Sequence, residues 1–188
     1  MKRKWIIGLS LLFIVFIGAL FIFYFHKGDN SRWQVALGGI GVSALPLLLL
    51  FSKRNPFNLP LIIGYYVFIF CTIYLGSIAS FYLKHKWWDS TIHFYKGILV
   101  GLIGIALYKL WVPGRARNAV SRPILFLFAF SLAVSSSVIW EIYEFTGDQL
   151  FTHTMQHGGN KDTMFDLLAG TAGGLLAGIY AAARKAHL

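Results

Sequence analysis

Charge is scarce in this chain, and negative charge is scarcest. Its 188 residues include 17 Lys and Arg but seven Asp and Glu, so charged residues make up 13% of the composition. A soluble domain carries about 25%. The 57% of residues that are hydrophobic and a mean hydropathy of +0.64 exclude a soluble enzyme, and also a disordered tail, which needs polar, charged sequence. Cysteine is nearly missing as well. Cys71 stands alone inside an apolar run, which excludes an intramolecular disulfide and any Cys-based metal framework. There is no Ser-His-Asp arrangement, Walker loop, dinucleotide fingerprint or zinc-protease helix motif. The net charge of +10 has the sign of a nucleic-acid module, but the Lys and Arg stand between apolar blocks. There they act as topology signals and contacts to anionic lipid. No nucleic-acid partner is expected; membrane lipids are.

What the chain does have is long apolar runs, several near the roughly 20 residues that cross a bilayer. They predict an all-α, polytopic membrane bundle of about six transmembrane helices, over 5–25, 33–51, 59–83, 88–112, 123–145 and 162–183. The first run follows Lys2, Arg3 and Lys4; it is too long for a secretory signal and lacks a small-residue cleavage site, so it reads as a retained signal anchor. Pro46 is expected to kink the second run. With no second domain, repeat or low-complexity tract, residues 1–188 read as a single integral membrane domain. Eleven basic residues fall on one side of the six spans: Lys2, Arg3, Lys4, Lys53, Arg54, Lys109, Arg115, Arg117, Arg122, Arg184 and Lys185. Five fall on the other: Lys27, Arg32, Lys84, Lys86 and Lys161. The positive-inside rule then predicts that both termini are cytoplasmic.

Six of the seven acids lie in or beside the last three spans. Under this topology they share one depth, at the outer interface. Residues three, four and seven apart share a helix face. The fourth span therefore carries a stripe of Asp89, His93, Lys96 and Gly97; the fifth, Ser137, Glu141, Glu144 and Asp148; the sixth, Asp162 and Asp166, running on into Gly170, Gly174 and Gly178. An ionised group facing lipid at the middle of a span costs about 2.5–3.5 kcal/mol, so the three stripes are expected to converge.

Each stripe also has a plainer reading. Asp89 and Asp162 suit helix N-termini, where a carboxylate caps and meets the helix dipole. Glu141 and Lys96 suit an internal ion pair, His153 and His157 a solvated outer loop, and the glycine series a helix-packing seam. The chemical reading assigns Asp89, His93, Glu141, Asp162 and Asp166 to a metal. It makes Glu141, Glu144 and Asp166 candidate catalytic groups and gives Lys96, Ser137, His153 and His157 to substrate. Carboxylates with one histidine suit a hard or borderline divalent ion, zinc, manganese or magnesium. Such an ion polarises a phosphoryl or carbonyl oxygen and activates water. A site at this depth suits a lipid or lipid-linked substrate. The alternatives are a non-enzymatic binder or transporter of a cation or cationic substrate, and a structural protein whose acids neutralise Lys96.

Trp88-Asp89, His93-Phe94 and Gly97, then Trp140-Glu141 and Glu144, then Asp162-Thr163 and Asp166 before the glycines, resemble the YjdF-type bacterial inner-membrane proteins. More distantly, this order is similar to that of the VanZ-like family. The resemblance covers about residues 87–178. It implies a multi-pass helical bundle in the bacterial plasma membrane and, on the VanZ-like side, a role in antibiotic tolerance or stress at the cell envelope. Glu144 stands where VanZ-like proteins commonly carry Gln, and Lys161 only loosely matches their Arg.

Overall fold

The computed structural model describes residues 2–117, 119–150, 156 and 159–184, and no strand occurs among them. Six helices are long and apolar enough to cross a membrane: α1 (Lys2–Lys27), α2 (Asn30–Leu50), α3 (Leu59–Ile78), α4 (Trp88–Trp111), α5 (Arg122–Leu150) and α6 (Asn160–Ala183). Large apolar side chains stand on their outer faces, including Leu12 and Phe23 on α1, Leu48 on α2, Ile139 and Ile142 on α5, and Leu168 and Ile179 on α6. In water each would forfeit about 25 cal/mol per Å² of exposed apolar surface. In hydrocarbon that cost vanishes, which is why the same pattern is stable in a bilayer. The chain forms two compact units, Met1–Trp88 and Asp89–Leu188.

In the first unit, apolar side chains of α1 meet those of α2 and α3. Ile6 packs with Ile62 and Tyr66 toward one end, and Ile17 with Ala36 and Ile78 toward the other. Pro46 has no N–H, so the carbonyl of Val42 loses its usual donor four residues on. The helix tightens into a 3₁₀ tail over Leu45–Leu50, and the Leu45 N–H turns to Val42 O instead. The Tyr65 hydroxyl donates to the same oxygen at 2.6 Å. Its neighbour Tyr66 donates to Ser43 O at 3.1 Å and lies 2.6 Å from Ser10 Oγ. Pro46 thus tightens the helix, and tyrosines of α3 serve the carbonyls of Val42 and Ser43, the second tyrosine held in turn by Ser10 of α1.

Helix α3 widens to a π-helix over Phe70–Ile78. It stops there, short of the expected Leu83, because Ser80 adopts a left-handed conformation (φ 64°) and Phe81–Lys84 forms a separate turn. Arg32 secures this end: its Nε donates to Ile78 O at 2.9 Å, one terminal nitrogen to Ser80 Oγ at 3.0 Å and the other to Asp29 Oδ2 at 2.6 Å. The same hydrogen bond from Arg32 holds the Asp29 carboxyl below the usual carboxylate range.

The second unit is drawn together by small residues. A Cβ on Gly97 of α4 would strike the Gly170 carbonyl of α6, and one on Gly173 the Phe94 carbonyl of α4. One on Gly174 would come within 2.7 Å of Ala133 Cβ on α5. Backbones this close exchange dispersion contacts that lipid tails cannot match. Beyond the seam, Ile105, Tyr108, Leu125, Ala129 and Ala181 form an apolar core. Arg117 folds back to donate to the carbonyls of Val112 and Lys109, a cation on the negative end of α4.

Candidate functional site

The seam sets the register of the site. His93 lies one turn before Gly97 on α4, and Asp166 one turn before Gly170 on α6, so clamping the glycines brings the two polar residues level. A Cβ built on Gly170 would come within 3.6 Å of His93 O and would strike Ser137 Oγ of α5. Helix α5 runs to Leu150, five residues past its expected end, and so carries Glu141, Glu144 and Asp148 within one helix.

His93 is the centre of the cluster and is 1% exposed. Its Nε2 lies 3.6 Å from Asp89 Oδ1, one turn earlier on α4. Its Nδ1 lies 3.4 Å from Glu141 Oε1 on α5 and 3.4 Å from Lys96 Nζ. Those two neighbours make opposite demands. An ammonium donates and so favours a bare Nδ1, while a carboxylate accepts and favours Nδ1–H. The proton on this nitrogen is therefore coupled to the charge on Lys96.

Aromatic and hydroxyl groups position the remaining acids. Lys96 Nζ stands 4.8 Å from the centroid of the Trp140 ring, a cation–π contact worth about 2 kcal/mol when desolvated. The Trp140 Nε1–H donates to Glu144 Oε1 at 2.8 Å, and Ser90 Oγ donates to Asp166 Oδ1 at 2.7 Å. Thr163 and Glu141 line one cavity between α5 and α6. Glu141 Oε1 accepts no hydrogen bond among the described residues, although Glu141 is only 5% exposed. Its neighbour is His93 Nδ1 at 3.4 Å, so a proton on that nitrogen, or a cation shared with it, would answer this oxygen.

The donors fall into two sets that share the histidine, Asp89 with His93 and Asp166, and His93 with Glu141 and Glu144. Within each, one ligand atom per residue lies within 4.8 Å of the others. Asp162, half-buried one turn before Asp166, is in neither set. Ser137 is buried against Gly170, a turn away from Glu141. Asp148 takes the Gln156 backbone N–H at 2.8 Å, and the Gln156 amide donates to Thr163 Oγ1 at 3.0 Å. His153 and His157 lie outside the described residues. Ser90 and Gln156 stand outside every sequence-level expectation, and Trp140 and Thr163 enter there only as motif neighbours of Glu141 and Asp162, with no role at the site.

Fold and site define a polytopic integral membrane protein with a buried cluster of acids, lysine and histidine in its second unit. The chain belongs to the family described as "Predicted membrane protein (DUF2238)", whose profile matches residues 8–187, and the YjdF-type resemblance is consistent with it. It is 33% identical over 100 residues to a protein of Thermotoga maritima that carries the name "Uncharacterized protein". That stretch is 53% of this chain and 50% of the relative, so the chain covers about half of the relative's length. No solved structure matches.

Proposed function

We propose that this protein is a metal-assisted membrane enzyme acting on a lipid or lipid-linked substrate. One observation carries the reading: a nearly fully buried imidazole with a carboxylate beside each ring nitrogen, Asp89 at 3.6 Å and Glu141 at 3.4 Å. A dry acidic pair beside histidine is an expensive arrangement, and a divalent cation removes the expense by neutralising it. His93 would ligate such an ion with Asp89 and Asp166, or with Glu141 and Glu144. Zinc, manganese and magnesium all accept these donors. A bound ion supplies Lewis acidity toward a phosphoryl or carbonyl oxygen and lowers the pKa of water. Lys96 and the two remaining carboxylates are then placed to hold substrate and move its proton.

The basic-residue count supports a site at the outer face of a bacterial plasma membrane, with both termini inside. The VanZ-like order of motifs is what would extend this reading to envelope stress or antibiotic tolerance. A binder or transporter of a cation is the second reading, favoured by the surplus of four carboxylates over one lysine at the cluster. A transport path needs ionisable groups at successive depths. Helix α5 has none between Arg122 and Glu141, and α6 none between Asp166 and Arg184. That favours a one-sided site and turnover. The test is elemental analysis of the purified protein before and after chelation. We expect near-stoichiometric zinc or manganese in the native chain and at least a tenfold loss in His93→Ala. Metal-free native protein whose thermal stability ignores chelator overturns the reading.

A further inference from the structure

A cavity of about 390 Å³ opens between α5 and α6, lined by Val138, Glu141, Ile142, Phe145, Gln156, Asn160, Thr163 and Leu167. Its volume falls within the roughly 300–1,000 Å³ of ligand pockets. The wall is divided in two. Val138, Ile142 and Phe145 recur at positions three and four apart on α5 and stand on its outer, lipid-facing surface, 41%, 57% and 53% exposed. The other part is polar: two amides, a hydroxyl and Glu141. Glu141 is the group shared with the His93 cluster: it is more than nine-tenths buried, and its Oε1 lies 3.4 Å from His93 Nδ1.

The polar part selects the ligand. Among the described residues no Lys, Arg or His lines the cavity, so a phosphate there would meet a carboxylate and no counter-charge. Amides and hydroxyls both donate and accept, as hydroxyl groups do. The Glu141 carboxylate on the wall is an acceptor, and a ligand hydroxyl is a donor that suits it. We infer that this cavity is the entry pocket for a lipid with an uncharged, hydroxyl-bearing head, whose chain leaves along Ile142 and Phe145 while its hydroxyl reaches Glu141. The inference rests on the reading above and names the substrate class for that same site.

The experiment is photolabelling of the full chain in phosphatidylcholine nanodiscs with a diazirine-bearing diacylglycerol, followed by peptide mapping and metal analysis of the same samples. Labelling should concentrate on residues 138–167. Ile142→Trp, which blocks the lipid-side wall, should reduce it at least fivefold. Ile139→Trp, on the same helix but outside the cavity and 65% exposed, should leave it unchanged. Excess diacylglycerol or glycosyl diacylglycerol should compete, the stronger competitor showing which head is preferred, and phosphatidic acid should not. Labelling spread over the chain, equal loss in both tryptophan variants, or equal competition by phosphatidic acid overturns the proposal. Selective labelling of a metal-free protein keeps the pocket and removes the metal; unselective labelling of a metal-loaded one does the reverse.

Discussion

At the scale of single residues, Glu141 separates chemistry from architecture. If it served only to neutralise Lys96, removing its charge would strand a buried cation at a cost of about 3–5 kcal/mol. A second change, Lys96→Met, would then restore the protein. The geometry argues otherwise. Lys96 Nζ rests on the Trp140 ring and beside His93 Nδ1, so it keeps partners when Glu141 is lost. We expect Glu141→Gln to unfold within about 1 kcal/mol of the native protein, on the scale of a lost neutral contact, yet to retain at least tenfold less metal. Lys96→Met in the same chain should rescue nothing. Tryptophan fluorescence during thermal unfolding and elemental analysis measure the two quantities. A destabilised Glu141→Gln that Lys96→Met repairs would make the cluster structural.

Residues of the site were legible in proportion to how local their partners are. Asp89 and His93 are one helical turn apart, and that spacing alone places them together. The acids of α5 were legible from cost, since an ionised group in a span must find company. Ser90 on Asp166 and Trp140 under Lys96 depend on how far each helix is rotated toward its neighbour, which periodicity does not set. Asp162 shows the converse. It shares Asp166's face, but one turn carries it out of both donor sets.

At the scale of helices, the seam was only half visible. The series Gly170, Gly174 and Gly178 reads as a packing face, while Gly97 and Gly173, which make the closest backbone approaches, lie partly off that pattern. Which glycines touch depends on the crossing of two helices and not on one helix's spacing. We expect Gly97→Ala to cost about 1–3 kcal/mol, the usual range for overpacking, because its new methyl meets a backbone carbonyl that cannot swing aside. Gly18→Ala on α1, with nothing within 4 Å, should cost nothing and raise stability by up to about 1 kcal/mol. Thermal unfolding in detergent checks both, and equal effects would mean that the seam does not hold α4 to α6.

Pro46 offers a second test at this scale. Tyr65→Phe removes the hydroxyl that serves Val42 O and should cost about 0.5–1.5 kcal/mol. In a Pro46→Ala background the backbone regains its own donor for that carbonyl, and Tyr65→Phe should then cost nothing measurable. A cycle in which the two changes simply add would show that the tyrosine does not compensate for the proline. The sequence made the proline's disturbance foreseeable. The hydroxyl that answers it comes from another helix, so its pairing appears only in three dimensions.

At the scale of the whole molecule, the question is which side of the bilayer the cluster faces. A single long helix, α5, apolar enough to cross, separates Ala116 from Lys161, so the two are expected on opposite sides. The absolute sense rests on the eleven-to-five distribution of basic residues. Single cysteines at Ala116 and Lys161, in a Cys71→Ser background, read it directly. Both positions are exposed, and Lys161 is a better choice than Gly159, whose φ of +60° strains any side chain. Replacing Lys161 also removes a positive charge from the outer side, so the variant reinforces the bias under test. We expect a membrane-impermeant maleimide to label the cysteine at 161 on intact spheroplasts and the one at 116 only after permeabilisation. The reverse pattern would turn the same cluster, with its cavity, toward the inner leaflet and replace the envelope substrate with a cytoplasmic one. Labelling of both from one side would mean that α5 does not cross, and a buried site at the end of a spanning α5 could not then exist.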